Sequence, residues 1–269
     1  MRGLSHNNVW RVSFPSTQII VKHSVKRTEA AFYQDVAPAL IVQGVATPAL
    51  EWLHQEDEGA WLVLEYIPEP LPKERRLADP RVMTVLSRLH RAQLPSAALP
   101  LFNPTWDDTM TNQALTSFSK SEQTRLASLI QRLQHESQPL FHAQTWISGD
   151  PNVMNWGVRA NGDTVLYDWE RFGRGTPALD LAISIPGLGD WTAFEQVANQ
   201  YLRAAGAQPS RQHYQRLVQA IAYAKVWNVI EFLSFATTGE ITETTRIPSL
   251  AQQLPDWIRM MSSLLTSDS

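Results

Sequence analysis

Pro68, Pro70 and Pro72 alternate along one short stretch and mark the one sharp break in this sequence. Proline fixes φ and lacks an amide hydrogen, so the run forbids helix and ladder alike and favours a stiff extended connection. Upstream, β-rich runs cover Val9 to Phe14, Gln18 to His23, Pro48 to Leu53 and Ala60 to Tyr66, with one helical pattern after Thr28. Downstream the spacing turns helical. Asp79-Pro80 reads as an N-cap with proline in the first turn, ahead of Val82, Val85, Leu86 and Leu89. Further helices are expected over Ser119 to His135, from Leu179, over Trp191 to Ala205, over Ser210 to Thr237, and over about Asp256 to Leu265. The expectation is an α+β fold of two lobes: a small antiparallel β-rich lobe at 1–67, a linker at 68–72, and a large α-helical lobe at 73–269.

At 269 residues the chain can bury a sizeable core. It has no cysteine, which removes disulfides and thiolate chemistry. A net charge of -3, with no basic cluster interleaved with aromatics, argues against a nucleic-acid partner. No apolar run is long enough for a membrane span. Ser5, His6, Asn7 and Asn8 interrupt the N-terminus too early for a signal peptide, so a soluble cytoplasmic protein is expected, as monomer or homodimer.

The chemistry concentrates in Ser148-Gly149-Asp150-Pro151-Asn152-Val153-Met154-Asn155 and in Leu166-Tyr167-Asp168-Trp169-Glu170. Asn161-Gly162 between them is the signal for a two-residue hairpin turn. With that pair at the tip, Asn155 faces Asp168 and the two share one face of the ribbon. An amide oxygen beside a carboxylate is a hard-oxygen pair suited to magnesium. Both are disfavoured in mid-ribbon and surrounded by apolar residues, which makes them costly there without a role. Asp150 precedes the first strand on a Gly-Asp-Pro turn. An acid beside a two-ligand metal site is what phosphoryl transfer requires. Lys22 ends the apolar run Ile19-Ile20-Val21, and Glu29 opens the next helix; paired, the ammonium would be aimed at phosphate oxygens. His90 reads as a packed or capping residue.

With these residues in place the chain resembles the aminoglycoside phosphotransferase and choline kinase superfamily, small-molecule relatives of the protein kinases. Residues 148–155 look like its His-Gly-Asp-x-x-x-x-Asn loop, 166–170 like its Ile-Asp-Trp-Glu segment, and Thr176 to Ala182 like its Asp-Pro-x-x-Asp-Leu-Ala helix start. Gly3 to Val12 is similar to its nucleotide loop. The resemblance implies a two-lobed protein-kinase-like fold using ATP and Mg2+. It makes Asp150 the catalytic base, Asn155 and Asp168 metal ligands, and Glu170 either a ligand of a second metal or an acceptor contact. Lys22, paired with Glu29, would contact the α- and β-phosphates, Ser5 and Asn7 would lie in the nucleotide loop, and the hinge from Leu64 to Ile67, including Glu65, would read adenine through its backbone. Asp180 would hold the catalytic loop. Ser148 departs from the family's histidine, which puts loop rigidity in question.

The function these features imply is transfer of the γ-phosphoryl group to a small-molecule hydroxyl. Beyond Asp180 acids nearly balance bases, no signature of a polycation site. Trp191, Trp227, Phe232 and Trp257 form either an aromatic wall for a cation or ring, or core. The short chain and the Trp227…Glu231 helix favour a choline-, thiamine- or amino-alcohol-like acceptor over an aminoglycoside-like one. The alternative is a non-catalytic nucleotide-binding regulator, a pseudokinase acting through partner binding.

Overall fold

The computed structural model describes residues 8–94, 99–142, 145–238 and 247–266. The upstream runs pair as one antiparallel sheet: β1 (Asn8–Ser13), β2 (Gln18–Ser24), β3 (Leu50–Glu56) and β4 (Gly59–Glu65), in the order β1-β2-β4-β3. Strand alternation turns Ile20, Lys22, Leu62 and Leu64 to one face. Against it lie helix α1 (Arg27–Ala31), a π-helical turn over Phe32–Val36, and α2 (Ala37–Val42). Phe32 and Tyr33 on the π turn are buried, and the Phe32 ring stacks on Trp169 at 4.1 Å. That stack fixes the small lobe's helix against the segment carrying Asp168.

The proline run does not stay out of the ladder as expected. Glu69–Pro70 forms a short strand, β5, that becomes the edge of a three-stranded sheet. An edge tolerates proline because its missing amide faces no neighbour, and the next donor, Leu71 N–H, reaches the Trp156 carbonyl at 3.1 Å.

The helical lobe follows with α3 (Pro80–Arg91), α4 (Asp108–Leu115) and α5 (Lys120–Ser137). Next come strands β6 (Thr145–Ile147), β7 (Trp156–Val158), β8 (Thr164–Leu166) and β9 (Gly173–Gly175). Helices α6 (Pro177–Ile183), α7 (Trp191–Ala204), α8 (Arg211–Thr238) and α9 (Ile247–Thr266) complete it. The caps read from sequence form: the Asp79 carboxylate accepts from Arg81 and Val82 N–H at 2.9 and 3.1 Å. Helix α4 was not expected, and its apolar stripe is thin, with only Thr111, Ala114 and Leu115 buried. Helix α9 begins upstream of the expected Asp256 and carries Pro255 inside it. The architecture is the expected α+β arrangement of a small antiparallel sheet lobe and a large helical lobe.

Of the aromatics open to either an acceptor wall or core, two are core. Trp227 and Trp257 are buried, and their indole N–H groups donate to the Thr105 and Gly189 carbonyls, both at 2.9 Å. Among the described residues no helix is long and apolar enough to cross a membrane.

Helix α8 buries a lysine that has no carboxylate partner among the described residues. Lys225 is 3% exposed and donates to the Ala182 and Ile185 carbonyls at 3.2 and 2.7 Å. Burial pushes its ammonium down to about 7 from 10.5. The unfolded chain then binds more protons than the folded chain between those values, so stability rises with pH across that window. The expected gain is on the order of 1 kcal/mol per pH unit. Denaturant titrations from neutral pH upward should show it in the wild type, and a shallower trend in Lys225→Met.

Candidate active site

The hairpin carrying the key residues forms, one residue out of the expected register. Trp156 pairs with Leu166, Gly157 with Val165 and Val158 with Thr164. Arg159 N–H then donates to the Asp163 carbonyl (2.9 Å), and Gly162 N–H to the Arg159 carbonyl (2.8 Å), closing a three-residue loop. Within it only Gly162 has positive φ (88°). Asn161 avoids the left-handed region because its side chain works locally: Oδ1 accepts the Asp163 amide at 3.0 Å. Asn155 therefore stands opposite Tyr167, whose N–H donates to the Asn155 carbonyl at 3.0 Å. Asp168 lies beyond the ladder with φ 66°. A non-glycine residue held there costs energy that the surroundings must offset, a pattern that concentrates at functional sites.

The loop ahead of the hairpin is gripped from behind. Asp180, fully buried on α6, accepts Ser148 N–H at 2.8 Å and Gly149 N–H at 2.9 Å, one on each carboxylate oxygen. His90 Nε2 on α3 donates to the same carboxylate at 3.1 Å, and its Nδ1 meets the Tyr201 hydroxyl at 3.0 Å. Sequence reading left His90 as packing, yet it braces the group that holds the loop. Ser148 is buried, and its Oγ accepts the Asp150 amide at 3.3 Å. Gly149 has φ 79°, and a Cβ there would fall 2.1 Å from the Arg171 carbonyl oxygen, so only glycine fits.

This frame presents the Asp150 carboxylate between two amides. Asn152 Nδ2 donates to Oδ1 at 2.9 Å, and Asn155 Nδ2 to Oδ2 at 3.1 Å and to the Asp150 main-chain oxygen at 2.8 Å. Burial pushes the carboxyl up to about 6; Arg171 and the Asn152 bond pull it down, while Asp168 and Glu231 push it further up. With its amide hydrogens committed to Asp150, Asn155 keeps its Oδ1 as an acceptor.

On β2, Lys22 Nζ donates to Glu29 Oε1 at 2.8 Å and to Asp168 Oδ1 at 2.7 Å. The strand lysine thus meets both the first-turn glutamate of α1 and the acid after the hairpin. Burial alone would depress the ammonium, but the two carboxylates outweigh it and hold it protonated. Burial raises Glu29 against the opposing pull of Lys22. Carboxylate oxygens of Glu29, Asp168 and Glu170 all lie within 4.8 Å of one another. Glu170 also pairs with Lys26 at 3.3 Å. The alternation expected to align Asp168 with Glu170 is absent, since neither is on a strand. Instead the left-handed turn at Asp168 brings both acids toward Glu29. Among the described residues no hydrogen-bond partner reaches the buried Glu29 Oε2. An orphaned carboxylate oxygen beside two further acids is a donor set that fits a magnesium ion.

The hinge candidates sit apart from this cluster. The Glu65 carboxylate takes both Arg159 Nε (2.7 Å) and Nη2 (2.6 Å), and its own N–H is spent on the Ala49 carbonyl at 2.9 Å. That amide cannot also donate to a base. The Ile67 side chain packs over Gly157, where a Cβ would come within 2.5 Å of its Cγ2. Ser5 and Asn7 lie outside the described residues.

Two further charged residues lie near Asp150: Glu231, on the helix whose Trp227…Glu231 pair suggests the acceptor class, and Arg171, which sequence reading did not single out. Arg171 Nη2 donates to both Glu231 oxygens at 2.6 and 2.8 Å, and its guanidinium lies 4.3 Å from the Phe102 ring centre. The only sequence signal was the position of Arg171, directly after Glu170.

No curated protein sequence matches the chain. Among solved structures it is similar to a spectinomycin phosphotransferase in complex with ADP and spectinomycin, at 12% identity, over 99% of this chain and 91% of that one, with a TM-score of 0.65. A thermostable mutant of an aminoglycoside phosphotransferase, in a ternary complex with AMP-PNP and hygromycin B, aligns at 12% identity over 99% and 93% with a TM-score of 0.63. A choline/ethanolamine kinase family protein from Mesorhizobium loti aligns at 17% identity over 97% and 88% with a TM-score of 0.58. These likenesses establish the two-lobed, protein-kinase-like fold. The model of the phosphotransferase enzyme family matches residues 2–217, most of the chain, and the chain belongs to that family.

Proposed function

We propose that this protein transfers the γ-phosphoryl group of Mg-ATP to a hydroxyl of a small molecule. The observation that carries the reading is the placement of Asp150. Its carboxylate is held by Asn152 and Asn155 on a loop anchored by Asp180, and the charge of Asp168 acts on it. At neutral pH a carboxyl at about 6 is ionised yet basic enough to take a proton. In the proposed reaction the Asp150 carboxylate orients the acceptor hydroxyl and accepts its proton as that oxygen attacks the γ-phosphorus and the bond to the β,γ-bridging oxygen breaks, releasing ADP. Lys22, kept charged by Glu29 and Asp168, holds the α- and β-phosphates. Asn155, through its open Oδ1, and Asp168 would hold magnesium, with Glu170 and the buried Glu29 Oε2 as further donors, and the bound ion would neutralise charge on the phosphates. Backbone groups at Ile67 and its neighbours would read adenine, and the lobes would divide at 1–67, 68–72 and 73–269. A cytoplasmic location follows from ATP as donor.

Glu231, the acid on α8 that acts on Asp150, is already neutralised by Arg171. That balance supports an acceptor of low charge, choline-, thiamine- or amino-alcohol-like, over an aminoglycoside. The Ser148 departure weighs little toward a non-catalytic regulator, because Asp180 and His90 hold the loop without a histidine at that position.

Asp168→Asn tests the metal assignment. Loss of an outer-shell partner already costs metal affinity about 10–100-fold, so loss of a ligand charge should weaken Mg-ATP at least as much. Calorimetric titration of Mg-ATP should show this loss. Affinity equal to the wild type would remove Asp168 from the metal site.

A further inference from the structure

A groove of about 760 Å³ lies where the α2–β3 connection, helix α3 and the β7–β8 hairpin tip meet. Lys22, Asp150, Asp168 and Glu170 are not among the residues lining it. Three arginines line it, Arg81, Arg88 and Arg159, against one carboxylate, Asp163. Each guanidinium is fixed by a main-chain oxygen: Arg81 Nη1 donates to Gly162 (3.0 Å), Arg88 Nη1 to Gly44 (2.9 Å) and Arg159 Nη2 to Thr47 (2.8 Å). Arg159 is neutralised by Glu65 at 2.6 Å. Arg81 and Arg88 make no ion pair among the described residues.

A chain of net charge -3 thus keeps two uncompensated cations on one helix face, turned into a concavity. Arg81 and Arg88 are two helical turns apart, roughly 10 Å along the axis. Each guanidinium offers five N–H donors in a planar fork and spends only one on the described residues. Such forks match the oxygens of phosphate and carboxylate groups, and their fixed orientation lowers the entropy lost on binding. Thr84, between the two arginines on α3, also lines the groove.

We propose that this groove is a second binding site, separate from the phosphoryl-transfer site, for a small polyanion of phosphate or carboxylate class. The ligand bridges Arg81 and Arg88, with Arg159 at the groove's inner wall.

The test is calorimetric titration at low salt, without magnesium, using inorganic tripolyphosphate in one arm and citrate in the other. The wild type and Lys22→Met are expected to bind at least one of these anions with affinities within about twofold of each other. Arg81→Gln/Arg88→Gln is expected to bind it about tenfold more weakly or worse. Whichever anion follows this pattern assigns the class. Arg81→Lys/Arg88→Lys, which keeps the charge and loses the fork, serves if the glutamine variant does not fold; weakening of about threefold or more is expected there. Failure of the wild type to bind either anion overturns the proposal. So does wild-type affinity in the folded arginine variant, or loss of binding in Lys22→Met as complete as in the arginine variants.

Discussion

Asp150→Asn is expected to bind Mg-ATP as the wild type does and to turn over about 10²–10⁴ times more slowly, the range a positioned general base contributes. The substitution keeps the shape of the side chain. One of its two amide bonds, from Asn152 or Asn155, is lost because the new amide nitrogen is a donor, while the other and the Ser148 Oγ bond to the main-chain amide remain to hold the loop. What is lost is the lone pair that takes the acceptor's proton. The same carboxyl governs the acid limb in the free wild-type enzyme. Because burial raises it to about 6, kcat/KM should fall tenfold per pH unit below that value, as Asp150 becomes protonated and can no longer act as base. Steady-state kinetics across pH, with nucleotide binding measured in parallel, checks both statements. A loss of Mg-ATP binding in Asp150→Asn as large as the loss of turnover would move Asp150 from base to nucleotide site.

Asp180→Ala is expected to produce the largest loss of stability of any single change near the site, about 3–5 kcal/mol. The carboxylate is fully buried and satisfies Ser148 N–H, Gly149 N–H and His90 Nε2 together. Truncation leaves all three donors buried without an acceptor, in a pocket closed on one side by Tyr201. The catalytic loop then loses its anchor, so activity should fall with stability. Asp180→Asn keeps the volume and one acceptor oxygen and should lie between the wild type and alanine. Urea unfolding monitored by tryptophan fluorescence gives the comparison. An alanine variant as stable as the wild type would mean that the loop is held elsewhere.

How far the site could be read from the chain depended on how local its determinants are. The Lys22–Glu29 pair was legible because a strand lysine and the first turn of the next helix lie only seven positions apart. The loop-holding role of Asp180 was legible through the motif that contains it. The hairpin register was not, because Asn161 has two uses for its side chain. Positive φ would give the two-residue turn; capping the Asp163 amide gives the three-residue loop that forms. A one-residue slip follows, and Asn155 faces Tyr167 instead of Asp168. His90 was illegible for a different reason. Its partners stand 90 and 111 positions away, and helical periodicity marks it only as buried. The indoles of Trp227 and Trp257 pattern alike for core and for wall; only their carbonyl partners, Thr105 and Gly189, separate the two. The strands β6 and β9, three residues each with two glycines in the second, carry too little alternation to read.

The most direct test of the central claim is ADP release from Mg-ATP by the wild type and by Asp150→Asn. The acceptor panel is choline, ethanolamine, thiamine, homoserine, fructosamine and aminoglycosides, with nucleotide affinity measured on the same samples. The account predicts that both proteins bind Mg-ATP and that at least one acceptor, of low charge, raises ADP release in the wild type alone. Nucleotide binding by both with no acceptor-dependent release would favour the regulator. Absence of Mg-ATP binding by the wild type, or equal turnover in the two proteins, would contradict the account.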